Sequence, residues 1–555
     1  MSSPSLNLLL DPWFPVRRAS GARGLARVVD LAAAEPDPIV AFDWPRPDFE
    51  IASYEFVIGL FSTLLPPATH RDWRRWWNAP PAPEDIAERL APFANAFVFD
   101  GGGPRFLQDF NDLGDEVSPI AGLLIEQPGA NTEKNNTDLF QKRGRVRVLA
   151  RSSAAMALFT LQTFAPTGGA GHRTGLRGGG PLTTLVAPPD DGEVSLWRQI
   201  WMNVLPALPA SEREEPIADA PERTFPWLGS TRVSDKDGVA TYAKDIHPAQ
   251  CFWGMPRRIR LRFEDNVDRL PCDLTGRVED VIVRDYVTRP YGVNYQGIEH
   301  PLTPSYRVKA GAEWLPVHPQ PGGIAWRHWP GFVQKTGDDG GRQAKPARVV
   351  EVAEARLADL GLDRGRLRLA GFDMDNMKAR AFVETETPIF AFGVEDAALR
   401  GDFEKLVDRL VASTVETVSI LRGALLTARG RDGGSGLDRI QEAFWQETDA
   451  PFWEALDRGA EMVRAGEEFA SLLRDRWLSG VLRPKAFATF DREVPVEALA
   501  ASAEVDGLRR AIEARRNLAG SLQGWGPAGA RLWRSIGLEP PVADAEKRKK
   551  KGAVR

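Results

Sequence analysis

The amino-acid sequence changes texture once, near residue 392, and that break constrains the fold more than any motif does. Before it, short apolar runs such as FVIGLF and VEDVIVRDYV alternate with Gly, Pro and Asp turns (PRPD, GGGPRF, PPDDGE, GDDGGR), the pattern of mixed helix and strand with long irregular loops. From about Asp396 onward, Phe403, Leu406, Leu410, Thr414, Val418, Leu421 and Leu425 recur at i, i+3/i+4, i+7 spacing with charged residues between them, which predicts an amphipathic helix. Similar patterns run over Leu437–Arg458, Glu461–Leu478 and Pro495–Ile536. Four such helices with mostly short connections predict an antiparallel bundle. The expected class is therefore α+β: a loop-rich mixed α/β N-terminal domain over 1–392, a C-terminal four-helix bundle over 393–540, and a flexible tail over 541–555 ending in EKRKKKGAVR.

A chain of 555 residues, 43% hydrophobic and 26% charged, has room for two or more domains with their own cores, and its composition excludes general disorder. The formal net charge is −5, so any nucleic-acid contact must come from local basic patches within an acidic whole. Cys251 and Cys272 are the only cysteines and form no C-x-x-C pair, which excludes a disulfide framework and a Cys₄ zinc site and fits a reduced, cytoplasmic protein. The opening MSSPSLNLLLDPWFPVRR lacks a basic n-region. Phe49–Leu65, the most apolar helix candidate, is interrupted by Glu50 and Glu55 and ends at Pro66-Pro67. Neither an export signal nor a membrane span is expected.

Thr167–Thr184, TGGAGHRTGLRGGGPLTT, holds seven glycines, two arginines and a histidine. Glycines let backbone N–H groups approach a phosphate or a base edge. No Gly-Lys-Ser/Thr step is present, so a Walker A loop is excluded; G-x-G-x-x-G begins at Gly169 and Gly171 and fails at Thr174. Two arginine combs accompany it. Arg143, Arg145 and Arg147 alternate after Phe140 and Lys142, and Arg258, Arg260 and Arg262 alternate with Ile259, Leu261 and Phe263. An extended segment would put each set of guanidiniums on one side, suited to a phosphate backbone, with an aromatic beside the first for a splayed base. The competing reading of the second comb is a solvated strand face. The six histidines form no H-x-x-x-H, and no G-x-S-x-G elbow occurs. Asp373 and Asp375 form a D-x-D, the one constellation that would hold a divalent cation against a nucleotide, as in a metal-dependent transferase or hydrolase.

Six blocks, NLLLDPWFPVR, WPRPDFEIASYEFVIGLFSTLLPP, NTDLFQKR, TGGAGHRTGLRGGGPLTTL, TRPYGVNYQGIEHPLTPSY and GFDMDNMKARAF, resemble in order the successive blocks of the CasA family, the large subunits of the type I-E CRISPR surveillance complex Cascade. The resemblance covers nearly the whole chain. It implies a non-catalytic subunit that recognises the protospacer-adjacent motif (PAM) in double-stranded DNA and helps start strand separation and R-loop formation. Such a subunit holds the 5′ handle of the CRISPR RNA and contacts the backbone and small subunits. It also recruits the helicase-nuclease, with no cofactor, metal or membrane.

Residue by residue, the resemblance assigns Gly168, Gly169, Ala170, Gly171, His172 and Arg173 to the PAM, where minor-groove contacts give permissive recognition. Ala170 stands where the family often has glycine. Asn376, Met377, Lys378 and Ala379 match the wedge that enters the duplex beyond the PAM, with Lys378 in place of a glutamine found in some members. Phe140, with Lys142, Arg143, Arg145, Asn135 and Asn136, matches the loop that docks the RNA handle. The family's lysine finger precedes a zinc-binding cysteine pair; here DRLPCDLTG keeps Cys272, carries Thr275 for the second cysteine and Pro271 at the finger. Zinc is not expected, and Arg269 is the substitute finger.

Overall fold

Helix α1, Pro47–Leu64, is buried along almost all of its length, because the chain wraps it from every side. The computed structural model describes residues 4–129, 132, 134–136, 143–169, 171–189, 194–207, 216–236, 238–320, 323–337, 341–375, 378–430, 434–495 and 505–541. Two compact units make up the chain: Met1–Ile324 with Gly331–Ala391, and Ala325–Pro330 with Phe392–Arg555.

In the first unit, β1 (Phe14–Arg18) pairs antiparallel with β2 (Arg23–Ala26) and β3 (Ile39–Phe42). Helix α2, Arg151–Phe164, packs on α1. Between them Phe56 meets the rings of Trp13, Phe14, Phe97, Phe106, Phe159 and Trp253 at centroid distances of 5.3–6.1 Å, mostly edge to face. Aromatic clusters of this kind bury the largest area per residue and favour that geometry.

Strands β4 (Val117–Pro119), β5 (Leu149–Ala150) and β7 (Arg258–Asp265) all pair with β8 (Val281–Arg289). Strand β6 (Thr183–Ala187) pairs with β9 (Arg364–Asp375), which forms a long hairpin with β10 (Lys378–Phe390). Since β6 begins where the glycine-rich segment ends, the hairpin is tied to that segment.

In the second unit, α3 spans Ala397–Arg429, and Phe403, Leu406, Leu410, Thr414, Val418, Leu421 and Leu425 are all buried on it. It is long and apolar enough to cross a membrane by composition, yet it packs against α7 (Val505–Leu522) and α8 (Gly526–Ser535). The described residues hold more helices than the four expected segments. The Leu437–Arg458 segment divides at Thr448 into α4 (Leu437–Glu447) and α5 (Asp449–Arg464), where the Thr448 hydroxyl donates to Phe444 O (2.9 Å) and Trp445 O (3.1 Å). RPKAFATFDREVP, read as a connection, forms α6 (Arg483–Glu493) after a π-helical stretch, Leu472–Leu482; its proline sits in the first turn, where the missing N–H costs nothing.

The short segment Ala325–Pro330 joins this unit through Trp326. Its ring stacks on Phe452 (4.1 Å) and meets Trp445 and Trp477 edge-on, and its Nε1 donates to Trp445 O (2.9 Å).

Candidate nucleic-acid interface

The first half of the glycine-rich segment is a surface turn. Gly168 N–H donates to His172 O (3.4 Å), and His172 N–H donates to Gly169 O (3.2 Å); Gly168 and Gly169 are exposed. Gly171 has φ +80°, and a Cβ there would lie 2.7 Å from the Tyr291 ring and 2.8 Å from Pro290, so only glycine fits. Tyr291 N–H donates to Gly171 O (2.7 Å), fastening the turn to the chain just after β8. Ala170 lies outside the described residues.

The second half is anchored in the core. Arg177 donates to Glu55 Oε2 (2.7 Å) and Thr303 Oγ1 (2.9 Å), and its guanidinium lies 5.5 Å from the centre of the Phe164 ring. The Thr183 hydroxyl donates to the other Glu55 oxygen. Glu55 therefore sits in an apolar helix because it neutralises the arginine of this segment. At Gly180 a Cβ would stand 2.7 Å from Phe372 O, and at Gly371 one would stand 2.6 Å from Pro181 O. Backbone thus packs on backbone where the segment meets β9, and β6 continues the union by pairing Thr183 with Ala370 through Ala187 with Arg366. The second half of the segment and the hairpin are thus one packed unit.

At the hairpin end, Asn376 and Met377 lie outside the described residues, Lys378 is exposed and Ala379 is half-buried. The D-x-D beside it is occupied. Arg380 donates to both Asp373 oxygens (2.6 and 3.1 Å) and stands 3.9 Å from Asp375. A guanidinium already holds the position that the metal-site reading needs for a cation.

Both candidate cations of the turn are committed or quenched. Arg173 donates to Ser234 Oγ (2.9 Å) and Asp235 O (3.0 Å), so it braces the turn sideways. Burial, helped by the nearby Arg257 charge, pushes the His172 pKa down to about 4; at neutral pH the ring offers hydrogen bonds and no charge.

The second arginine comb lies on β7 with Ile259 and Leu261 buried on the other face and Phe263 half-buried. Its guanidiniums all find acceptors, Arg258 and Arg260 half-buried and Arg262 exposed to solvent. Arg258 pairs with buried Asp109 (2.7 Å), Arg260 donates to Asp109 O (2.7 Å), and Arg262 reaches Gly114 O (2.8 Å) and Asp115 (3.1 Å). The first comb is incomplete. Arg145 and Arg147 are exposed and alternate with buried Val146 and Val148, but Arg143 sits in a turn at Gly144, whose φ is +67°. Arg143 donates instead to Asn136 Oδ1 (3.1 Å). Asn135 and Asn136 are exposed beside it, while Phe140 and Lys142 lie outside the described residues.

Arg269 does not join the turn. The turn contacts the Arg258–Arg289 end of the β7–β8 pair, whereas Arg269 follows the Asp265–Val281 end, roughly 20–25 Å away along the strands. There it pairs with Asp280 (2.8 Å). Cys272, next to it, is buried with Sγ 3.3 Å from Ser153 Oγ.

Sequence reasoning missed Arg177, Glu55, Tyr291 and Arg257 as parts of this assembly. One signal was present: a carboxylate in an otherwise apolar helix must find a cation.

The family model for CRISPR-associated protein Cse1 matches residues 7–482. Solved structures with the same fold include Thermus thermophilus CasA (20% identity, TM-score 0.66, covering 94% of this chain and 100% of that one). Cse1 from Acidimicrobium ferrooxidans (20%, 0.62, 98% and 100%) and from Thermobifida fusca (17%, 0.65, 96% and 98%) are also similar. A chain of a CRISPR RNA-guided surveillance complex aligns at 14% identity with a TM-score of 0.58, covering 93% and 100%. With the family pattern running through most of its length, through the glycine-rich segment and the hairpin alike, this chain belongs to the CRISPR-associated protein Cse1 (CasA) family.

Proposed function

We propose that this chain is the large subunit of a type I-E CRISPR RNA-guided surveillance complex, and that it reads the PAM of duplex DNA and begins its opening without doing chemistry of its own. The observation that carries this reading is that the glycine-rich segment, a few residues after its Gly168–His172 turn, packs backbone to backbone on the β9–β10 hairpin at Gly180 and Gly371 and continues into it as strand β6. One element can sit on the duplex while the other meets the adjacent base pair in fixed relation to it. Exposed glycines suit the minor groove, where base pairs are poorly distinguished and recognition is permissive. Lys378 contributes a phosphate contact beside the wedge, and unstacking one step costs on the order of a few kcal/mol, which the turn's contacts offset. Arg269, set apart, serves at most as a separate phosphate contact.

In this reading, 1–392 carries recognition and RNA docking, with Asn135, Asn136, Arg143 and Arg145 flanking Phe140 and Lys142. The helical region over 393–540 faces the other subunits and the helicase-nuclease, in the cytoplasm. The test is binding of the reconstituted complex, with and without this chain, to duplexes carrying a randomised PAM, followed by sequencing of what binds. A short motif should be enriched only with the chain, and Gly171→Val, which drives a side chain into Tyr291, should erase it. Enrichment that is independent of this chain refutes the proposal.

A further inference from the structure

Resting on that reading, we propose that Arg257 contacts the DNA directly, through the gap that Gly168 leaves by having no side chain. Arg257 immediately precedes β7 and is 8% exposed. Its backbone is clamped by Gln162, which accepts from Arg257 N–H (2.9 Å) and donates to Arg257 O (2.9 Å). Its guanidinium meets no carboxylate among the described residues. One terminal nitrogen donates to Pro166 O, Nε is buried with no partner, and Nη1 lies directly against Gly168, where a Cβ would collide with it.

A buried, unneutralised guanidinium is costly to keep, and Arg257 has a single carbonyl acceptor, with its Nε left unsatisfied. This one is aimed at an exposed glycine of the turn. Binding of an electron-rich acceptor over Gly168 would complete its hydrogen bonding and neutralise its charge. In a duplex that acceptor is a phosphate oxygen or a minor-groove base edge, and arginine is the side chain that a narrow, negative minor groove favours.

The experiment uses the full complex and PAM-bearing duplex with Arg257→Met, Gly168→Ala and the double variant, following affinity against salt and PAM preference. Arg257→Met should keep or raise the melting temperature, since it removes an unpaired buried charge, while weakening duplex binding about 10-fold. For a phosphate contact, binding weakens equally for all PAMs and the salt slope falls by about 1; for a base contact, preference relaxes at one PAM position. Gly168→Ala should weaken binding in the parent and add little in the Arg257→Met background, because its added methyl acts by displacing Arg257. Unchanged affinity and preference in Arg257→Met, or full additivity of the two variants, overturns the inference. If the parent complex binds duplex equally well without this chain, the functional reading itself fails instead.

Discussion

Arg177→Met tests whether the glycine-rich segment is held by charge. Arg177 and Glu55 are 3% and 2% exposed as side chains, so the variant strands a carboxylate in the core with one hydroxyl partner, Thr183. Removing one member of a buried pair costs about 3–5 kcal/mol. With an unfolding entropy of about 2.1 cal/mol/K per residue, a unit as large as the first loses about 1 °C per kcal/mol, so its melting transition should fall by about 4–6 °C. Calorimetry is the assay, with the transitions of the two units fitted separately, as multidomain chains require. The double variant Glu55→Leu/Arg177→Met removes both charges and should recover to within about 2 °C of the parent, since apolar replacement of a buried pair is near neutral or stabilising. Both variants unfasten the segment from α1, so both should lose PAM preference. A single variant melting within about 1 °C of the parent would refute the anchoring role. A double variant as unstable as the single would show that packing, and not charge, is what Arg177 supplies.

Lys378→Ala should slow opening of the first base pair several-fold by permanganate reactivity while changing closed-duplex affinity less than about 3-fold, the scale of one exposed phosphate contact; equal loss of both would remove it from the wedge. Folding lowers the His172 pKa from 6.5 to about 4, so between those values the unfolded chain takes up a proton that the folded chain refuses. The stability contribution is full above pH 6.5 and is lost as the pH falls toward 4. His172→Gln should flatten that part of the melting-temperature profile, and an unchanged slope would assign it to another group. Trp326→Ala should cost the second unit about 3–5 kcal/mol through the lost Phe452 stack, seen as an earlier transition of that unit alone; a shift in the first unit's transition would contradict the partition.

Periodicity made the helical region legible, since a stripe such as Phe403 to Leu425 reports burial directly. It did not reveal the break at Thr448 or the helix at Arg483–Glu493, because a threonine's hydroxyl bonds and a first-turn proline depend on context that a window of residues does not carry. The arginine combs show the same limit. Alternation correctly placed Ile259 and Leu261 inside and the Arg258, Arg260 and Arg262 guanidiniums on the opposite face. What those guanidiniums meet, Asp109, Phe110, Gly114 and Asp115, lies about 150 residues away in the chain.

By itself, the sequence determined the division into a loop-rich mixed region and a helical one, and the family to which the chain belongs. It also determined that the Thr167–Thr184 segment would be glycine-dependent backbone. These follow from local periodicity, composition and the order of short motifs. Tertiary structure alone decided which charges are available: Arg177 is spent on Glu55, Arg380 on Asp373 and Arg173 on Ser234, while Arg257 meets no acid among the described residues. It alone packed Gly180 and Pro181 of the segment onto the hairpin and sent Arg269 to the far end of its strand pair. The physical reason is that an ion pair or a backbone contact acts over a few ångströms in space, and folding sets those distances between residues whose separation in sequence carries no trace of them.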